Sequence, residues 1–216
     1  MIYKRHKLIV CRALAHVLEP MMPPDGEIRV MDIGLHVDLQ KLRSRLLKEI
    51  ADIEEDGADI LLGYGLCGRA LEGVVSARST LILPRVDDCV GALLGSRKRH
   101  KELLKQNAGC YFLEQNWLKT ELNIFTEILK GLERIPPEKR EKIVKLMLRH
   151  YNTLVLLDSG DLLPENESLC LDYARQYDMK LVSLKTESGL LTRLIKGPLC
   201  EEEFLVLPPG SPVPFF

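Results

Sequence analysis

Ala58-Asp59-Ile60-Leu61-Leu62-Gly63-Tyr64-Gly65-Leu66-Cys67-Gly68 decides the fold of this chain. An apolar run of strand length gives way to glycines set around a single cysteine, which reads as a buried strand ending in a tight turn. Gly65 and Gly68 let the backbone turn there without a Cβ penalty. Immediately upstream, Leu39 to Asp56 places Leu42, Leu46, Ile50 and Ile53 three or four positions apart, the spacing of an amphipathic helix, and Gly57 ends it. The preceding pair has the same form. Lys7 to Cys11 is a first strand, followed by a short helix from Ala13 to Leu18 that Pro20, Pro23 and Pro24 stop. Ile28 to Ile33 is a second strand that turns at Gly34-Leu35-His36. Downstream, a helix over Ala70 to Ala77 leads to a fourth strand from Thr80 to Leu83.

This alternation predicts an α/β protein, a Rossmann-like, mostly parallel sheet flanked by helices. Beyond Cys89 the pattern gives helix to Leu94, helix from Arg97 to Gln106, a strand over Cys110 to Leu113, and helix from Trp117 to Leu132. Pro136-Pro137 breaks the chain before a helix over Glu138 to Arg149. Strands at Thr153–Leu157, Lys180–Leu184 and Phe204–Leu207 alternate with helices at Glu165–Tyr177 and Gly189–Ile195. The Pro-rich tail from Pro208 reads as a surface extension. The stretches before about Leu113 and after about Asn152 both read βαβ. The expectation is one α/β domain over 1–216, or two lobes in which 152–216 closes 1–113.

At 216 residues, with 46% hydrophobic and 28% charged side chains, the composition is that of a globular protein. A net charge of −1 gives no electrostatic footprint for nucleic acid. The densest basic run, Arg97-Lys98-Arg99-His100-Lys101, reads as a solvated first helical turn. No apolar run reaches the roughly 20 residues of a membrane helix. The basic start before Leu8-Ile9-Val10 echoes a signal peptide, but Arg12 and His16 interrupt the apolar stretch, so it is taken as a strand and the protein as cytoplasmic. Thiols stay reduced in that compartment, so six cysteines point to metal or redox chemistry rather than disulfides.

Four chemistry-bearing residues lie where predicted strands run out: Cys11, His36, Cys67 and Cys89. A parallel sheet delivers those ends to one edge, where open α/β folds place their sites. Thiolate and imidazole are ligands for zinc and iron–sulfur clusters. The expected metal ligands are therefore Cys11, Cys67 and Cys89, with His36 as fourth ligand or as a neighbouring acid/base. Around them, Tyr64, Gly65 and Gly68 would line the cofactor. In Pro84-Arg85-Val86-Asp87-Asp88-Cys89, Arg85 would clamp an anionic substrate group and Asp87 or Asp88 would orient a ligand or act as a base. Each feature also has a plain structural reading: a close-packed turn around an incidental cysteine, Asp88 as a helix N-cap paired with Arg85, Cys11 as a strand-closing core residue, and His36 as a solvated turn residue. Cys170 falls in a helical pattern and reads as core, Cys200 as exposed, and Cys110 lacks a site-like setting. There is no phosphate-binding Walker loop, no spaced dinucleotide fingerprint after the first strand, no paired Cys-x-x-Cys and no nucleophile elbow.

The series Cys11 with Ala13-Leu14-Ala15, then Leu35-His36, Tyr64-Gly65-Leu66-Cys67-Gly68, Pro84-Arg85-Val86-Asp87-Asp88-Cys89 and Leu93-Leu94-Gly95-Ser96-Arg97 resembles the domain-of-unknown-function family 1638. Gly109-Cys110-Tyr111-Phe112 before Trp117 fits the same pattern. The likeness is good over the first 120 residues or so and looser beyond. It implies a protein of methanogens and other anaerobes, encoded near corrinoid-dependent methyltransferases and acting in one-carbon metabolism. The family pattern has histidine at position 87 and threonine at 110, where this chain has Asp87 and Cys110. The combined expectation is a metal-binding protein whose Cys/His centre, zinc before a [4Fe–4S] cluster with one open iron, activates a thiol for methyl transfer. The alternative is a non-catalytic accessory for a metal or a corrinoid protein; a small molecule or a corrinoid protein would be the partner.

Overall fold

Four of the apolar runs line up as neighbouring parallel strands. In the computed structural model, which describes residues 6–118, 123, 125, 132–160 and 162–215, contacts divide the chain into two units. One comprises Met1–His100 with Glu187–Phe216, the other Lys101–Thr186.

The first unit holds a five-stranded sheet built from β1 (His6–Cys11), β2 (Glu27–Met31), β3 (Asp59–Gly63), β4 (Thr80–Pro84) and a later strand, Phe204–Leu207. The order is β2-β1-β3-β4 and then the late strand. The first four are parallel and the last is antiparallel. The fold class is thus the mixed α/β, mostly parallel one that the alternation predicts. Leu8, Ile9, Val10, Ile60, Leu61 and Leu62 are all fully buried, as expected of central parallel strands covered on both faces. Helix α1 (Arg12–Leu18) starts directly from β1. Helix α2 (Leu39–Ile53) is capped by Asp38, whose carboxylate accepts from the N–H groups of Gln40 and Lys41. Its predicted stripe of Leu42, Leu46, Ile50 and Ile53 is buried.

Two expectations about the backbone fail in this unit. No helix forms over Ala70 to Ala77; the chain runs through successive turns. Cys67, Gly68 and Arg69 have φ of 47°, 64° and 76°, and Gly73 has φ of 78°. These left-handed conformations prevent helix propagation at the start and middle of the segment. The tail supplies the missing backbone partners: Gly73 N–H donates to the Val213 carbonyl, Val213 N–H to Val74, and Gly210 N–H to Ser76. Val213 is 1% exposed. The tail is therefore packed onto the unit rather than extended from its surface.

The second unit has the parallel strands β5 (Cys110–Glu114), β6 (Thr153–Asp158) and β7 (Lys180–Lys185), in that order. Its core gathers Leu113, Leu154, Leu156, Cys170, Ala174 and Phe125, the last stacked on Tyr173 and Tyr177. Cys170 is core, as predicted. Of the helix predicted from Trp117 to Leu132, the part beyond Leu118 lies almost wholly outside the described residues.

Candidate metal centre

All four parallel strands of the first unit send their carboxyl ends to the same edge, and each is followed within five residues by one of the predicted ligands. Cys11 closes β1, His36 follows β2, Cys67 follows β3 and Cys89 follows β4. Since β1 connects to β2 on one side and pairs with β3 on the other, the chain reverses its direction of travel here, which opens a crevice at the strand ends.

The ligand atoms of Cys11, His36 and Cys89 all lie within 4.8 Å of one another. Two sulfurs on one zinc stand about 3.8 Å apart, given bonds near 2.3 Å at tetrahedral angles. Only small side-chain movements separate this cluster from a coordinating one. Cys67 is the neighbour of that triad, interacting with both the Cys89 thiol and the His36 ring. Cys11 and Cys67 are buried, Cys89 is 8% exposed and His36 is half-buried.

Local chemistry orients each group. Cys11 caps α1, its sulfur accepting from the Ala13 N–H at 3.5 Å. His36 sits in the 3-10 turn Ile33–Val37, with Nδ1 2.9 Å from the Ile33 carbonyl. A carbonyl can only accept, so Nδ1 carries a proton, and once the ring is neutral Nε2 is the nitrogen whose lone pair is free. Such a bond commonly fixes the ring of a metal-ligating histidine. Cys67 and Cys89 are held by two neighbouring loops that pair through backbone bonds, Leu66 N–H to Val86 O and Cys67 N–H to Asp87 O at 2.9 Å. The pairing requires Gly65, because a Cβ there would stand 2.6 Å from the Asp88 backbone. Cys67 itself adopts φ 47°, a strained region for a side chain bearing Cβ.

Protons are distributed unevenly over the cluster. Hydrogen bonding from Cys89, against the opposing effect of burial, lowers the Cys11 thiol below its usual range, with the His36 charge assisting. The Cys89 bond and His36 likewise bring Cys67 down to about 6 despite burial. Cys89, bonded to both thiolates and buried, rises well above the ordinary thiol value. Burial disfavours the His36 cation, but Cys67 and Cys11 outweigh it and raise the ring to about 9. Thiols shifted toward ionisation at Cys11 and Cys67, a protonated Cys89 and an imidazolium are thus concentrated where one cation could replace the protons.

The other predicted site residues have definite places. Tyr64 is fully buried and its ring stacks on His36 at 6.2 Å and 18°. Its hydroxyl makes no hydrogen bond of regular geometry, yet burial and the neighbouring Cys11, Cys67 and Cys89 sulfurs hold it strongly protonated. Gly68 is in the left-handed turn. Asp88 caps α3 (Cys89–Leu93) by accepting from the Gly91 N–H, and its Oδ1 lies 3.5 Å from Nδ1 of buried His100. Its predicted partner Arg85 turns elsewhere, donating from Nε to the Phe204 carbonyl. Asp87 pairs with Arg97 at 2.8 Å. The basic run is therefore not the solvated turn expected: Arg97 braces the Asp87 loop, Arg99 pairs with Glu187, and His100 is 4% exposed. Cys200 is exposed, as predicted.

Fold and site together define a class: an α/β protein with a thiolate–imidazole cluster, able to hold a metal ion, at the carboxyl edge of its parallel sheet. Within that class the chain belongs to the family described as "Protein of unknown function (DUF1638)", matched over residues 30–195. His36, Cys67 and Cys89 fall inside the matched span and Cys11 lies ahead of it. No curated protein and no solved structure matches the chain. No described helix is long and apolar enough to cross a membrane.

Proposed function

We propose that this chain is a zinc protein in which Cys11, Cys89 and His36 bind the ion and Cys67 occupies or guards the fourth position. The observation that carries the reading is the convergence of the first three ligand atoms to within 4.8 Å from three separate strand ends. Zinc is favoured over a [4Fe–4S] cluster because a cube holds its cysteine sulfurs farther apart than a single ion does, each on a different iron. The nitrogen donor, with its Nδ1–H fixed on a carbonyl, also suits zinc.

Bound zinc would supply Lewis acidity and keep a sulfur ligand in its thiolate form at neutral pH. In the catalytic reading, Cys11, Cys89 and His36 would hold three positions and Cys67, strained at φ 47°, would yield the fourth to a substrate thiol, which would lose its proton and take the methyl group from a methylated corrinoid, whose cobalt keeps the electron pair of the broken bond. In this reading His36 serves as a ligand rather than as a catalytic acid/base, and Asp88 and Arg85, the other candidate catalytic residues, shape the loop that carries Cys89. The link to corrinoid-dependent one-carbon metabolism in anaerobes rests on the family resemblance. A four-ligand centre including Cys67 would instead be closed, the form that suits a structural or metal-delivering accessory protein.

The test is metal content of the full chain purified without oxygen. One zinc per chain, lost in Cys89→Ser and kept in Cys170→Ser, supports the proposal. Absence of metal after zinc titration overturns it, as does iron with equimolar sulfide. Zinc retained at full occupancy in Cys67→Ser favours the open, three-ligand site.

A further inference from the structure

A groove of about 630 Å³ opens on the first unit, and its wall includes Arg12 and Leu35, the chain neighbours of Cys11 and His36. Lys41, Ser44, Arg45 and Lys48 complete its polar side; their spacing puts them on one face of α2, away from the buried Leu42–Leu46–Ile50 stripe. Val30 and Met31 give it an apolar floor. Four cations meet a single acidic residue there, Asp32, whose Oδ1 already accepts from the Gly34 N–H at 2.7 Å.

Most arginines elsewhere on the unit are ion-paired, and Arg43 donates instead to the Ala70 and Arg69 carbonyls. Arg29, Arg69, Arg78, Arg97, Arg99 and Arg193 each have a carboxylate partner. In the groove Arg45 pairs with Glu49 at 2.6 Å, but Arg12, Lys41 and Lys48 meet no carboxylate among the described residues. Unpaired like charges around one concavity repel each other and raise its potential, so an entering anion relieves repulsion as well as gaining contacts. The volume falls within the range of small-molecule sites.

We propose that this groove binds a small organic polyanion, phosphate- or carboxylate-bearing, with its charged groups on Arg12, Lys41 and Lys48 and its carbon skeleton over Val30 and Met31. The site stands independently of the metal reading, since none of its side chains is a ligand. Its position at the same sheet edge makes it the place where an anionic substrate or effector would sit beside the centre.

Titration calorimetry with inorganic pyrophosphate and with citrate, at fixed ionic strength near physiological, distinguishes the two anion types. It is run on zinc-loaded and on chelator-treated full chain, so that failure of the metal site does not mask the groove. Saturable binding of either probe, weakened at least tenfold in Lys41→Ala/Lys48→Ala and unchanged in Lys139→Ala/Lys142→Ala, supports the proposal. The anion that binds tighter assigns the type. Absence of saturable binding to both preparations overturns it, as does equal weakening in the two double variants. Far-UV circular dichroism verifies that these exposed substitutions leave the fold intact.

Discussion

Cys89 is the residue on which the cluster turns: burial and its two cysteine neighbours hold its thiol protonated, and its proximity in turn lowers the thiols of Cys11 and Cys67. Cys89→Ser is expected to abolish stoichiometric metal because a hydroxyl is a much harder and less acidic donor than a thiol. Tyr64 makes a sharper test. Removing a buried hydroxyl that lacks a regular hydrogen bond lifts a desolvation penalty of about 1–3 kcal/mol. Tyr64→Phe should therefore leave the metal-free protein as stable or more stable in urea unfolding. If the hydroxyl donates to a metal-bound thiolate, the same variant should bind zinc several-fold more weakly. Lower stability of the metal-free variant would show that the hydroxyl already has a partner. The gathering of Cys11, His36 and Cys89, with Cys67 beside them, was legible in the sequence because each lies at or just past the end of an apolar run, and parallel strands make run ends neighbours. The groove was not, although Lys41, Ser44, Arg45 and Lys48 lie at helical spacing. Its other cation, Arg12, comes from a distant element, and no one-dimensional pattern joins them.

The paired loops after β3 and β4 set the site more than any helix does. A Gly65→Ala methyl would collide with the Asp88 backbone, which unlike a flexible side chain cannot swing aside. We expect a loss of about 1–3 kcal/mol in chemical denaturation, together with weaker metal binding, as Cys67 and Cys89 move apart. Wild-type stability and affinity in that variant would mean the loops tolerate separation. Asp88→Ala, by removing the cap of α3, should cost about 1 kcal/mol. The tail tests the turn-rich crossover: ending the chain at Pro208 removes buried Val213 with its bonds to Gly73 and Val74, and the Gly210 bond to Ser76. Burial of one valine and a few hydrogen bonds together give an expected loss of about 2–5 kcal/mol. The strands and α2 were readable because periodicity and burial agree there. The crossover over 70–77 was not legible, because its apolar and helix-forming residues carry no mark of the left-handed turns that precede them. Nor was the packing of the tail, because prolines signal the absence of regular structure, not exposure.

At the scale of the molecule, metal binding, proton release and stability are one linked system. Zinc takes thiolates and a neutral imidazole. At pH 7 Cys89 and His36, the latter raised to about 9, hold protons that must leave, so binding should release at least those two and tighten as pH rises from 7 toward 9. Calorimetry in buffers of different ionisation enthalpy reads that number; release of none would contradict the proton distribution. Zinc bound only to the folded chain should also stabilise it, by about 4 kcal/mol at a thousandfold excess over the dissociation constant. The central claim, however, is geometric: three strand ends deliver two sulfurs and a nitrogen to one ion. X-ray absorption at the zinc edge of the loaded full chain tests it most directly. The account predicts a mixed first shell, two or three sulfurs near 2.3 Å and one imidazole nitrogen near 2.0 Å, with the nitrogen lost in His36→Ala. A shell of oxygen and nitrogen alone, or a spectrum unchanged in Cys11→Ser and Cys89→Ser, would contradict it.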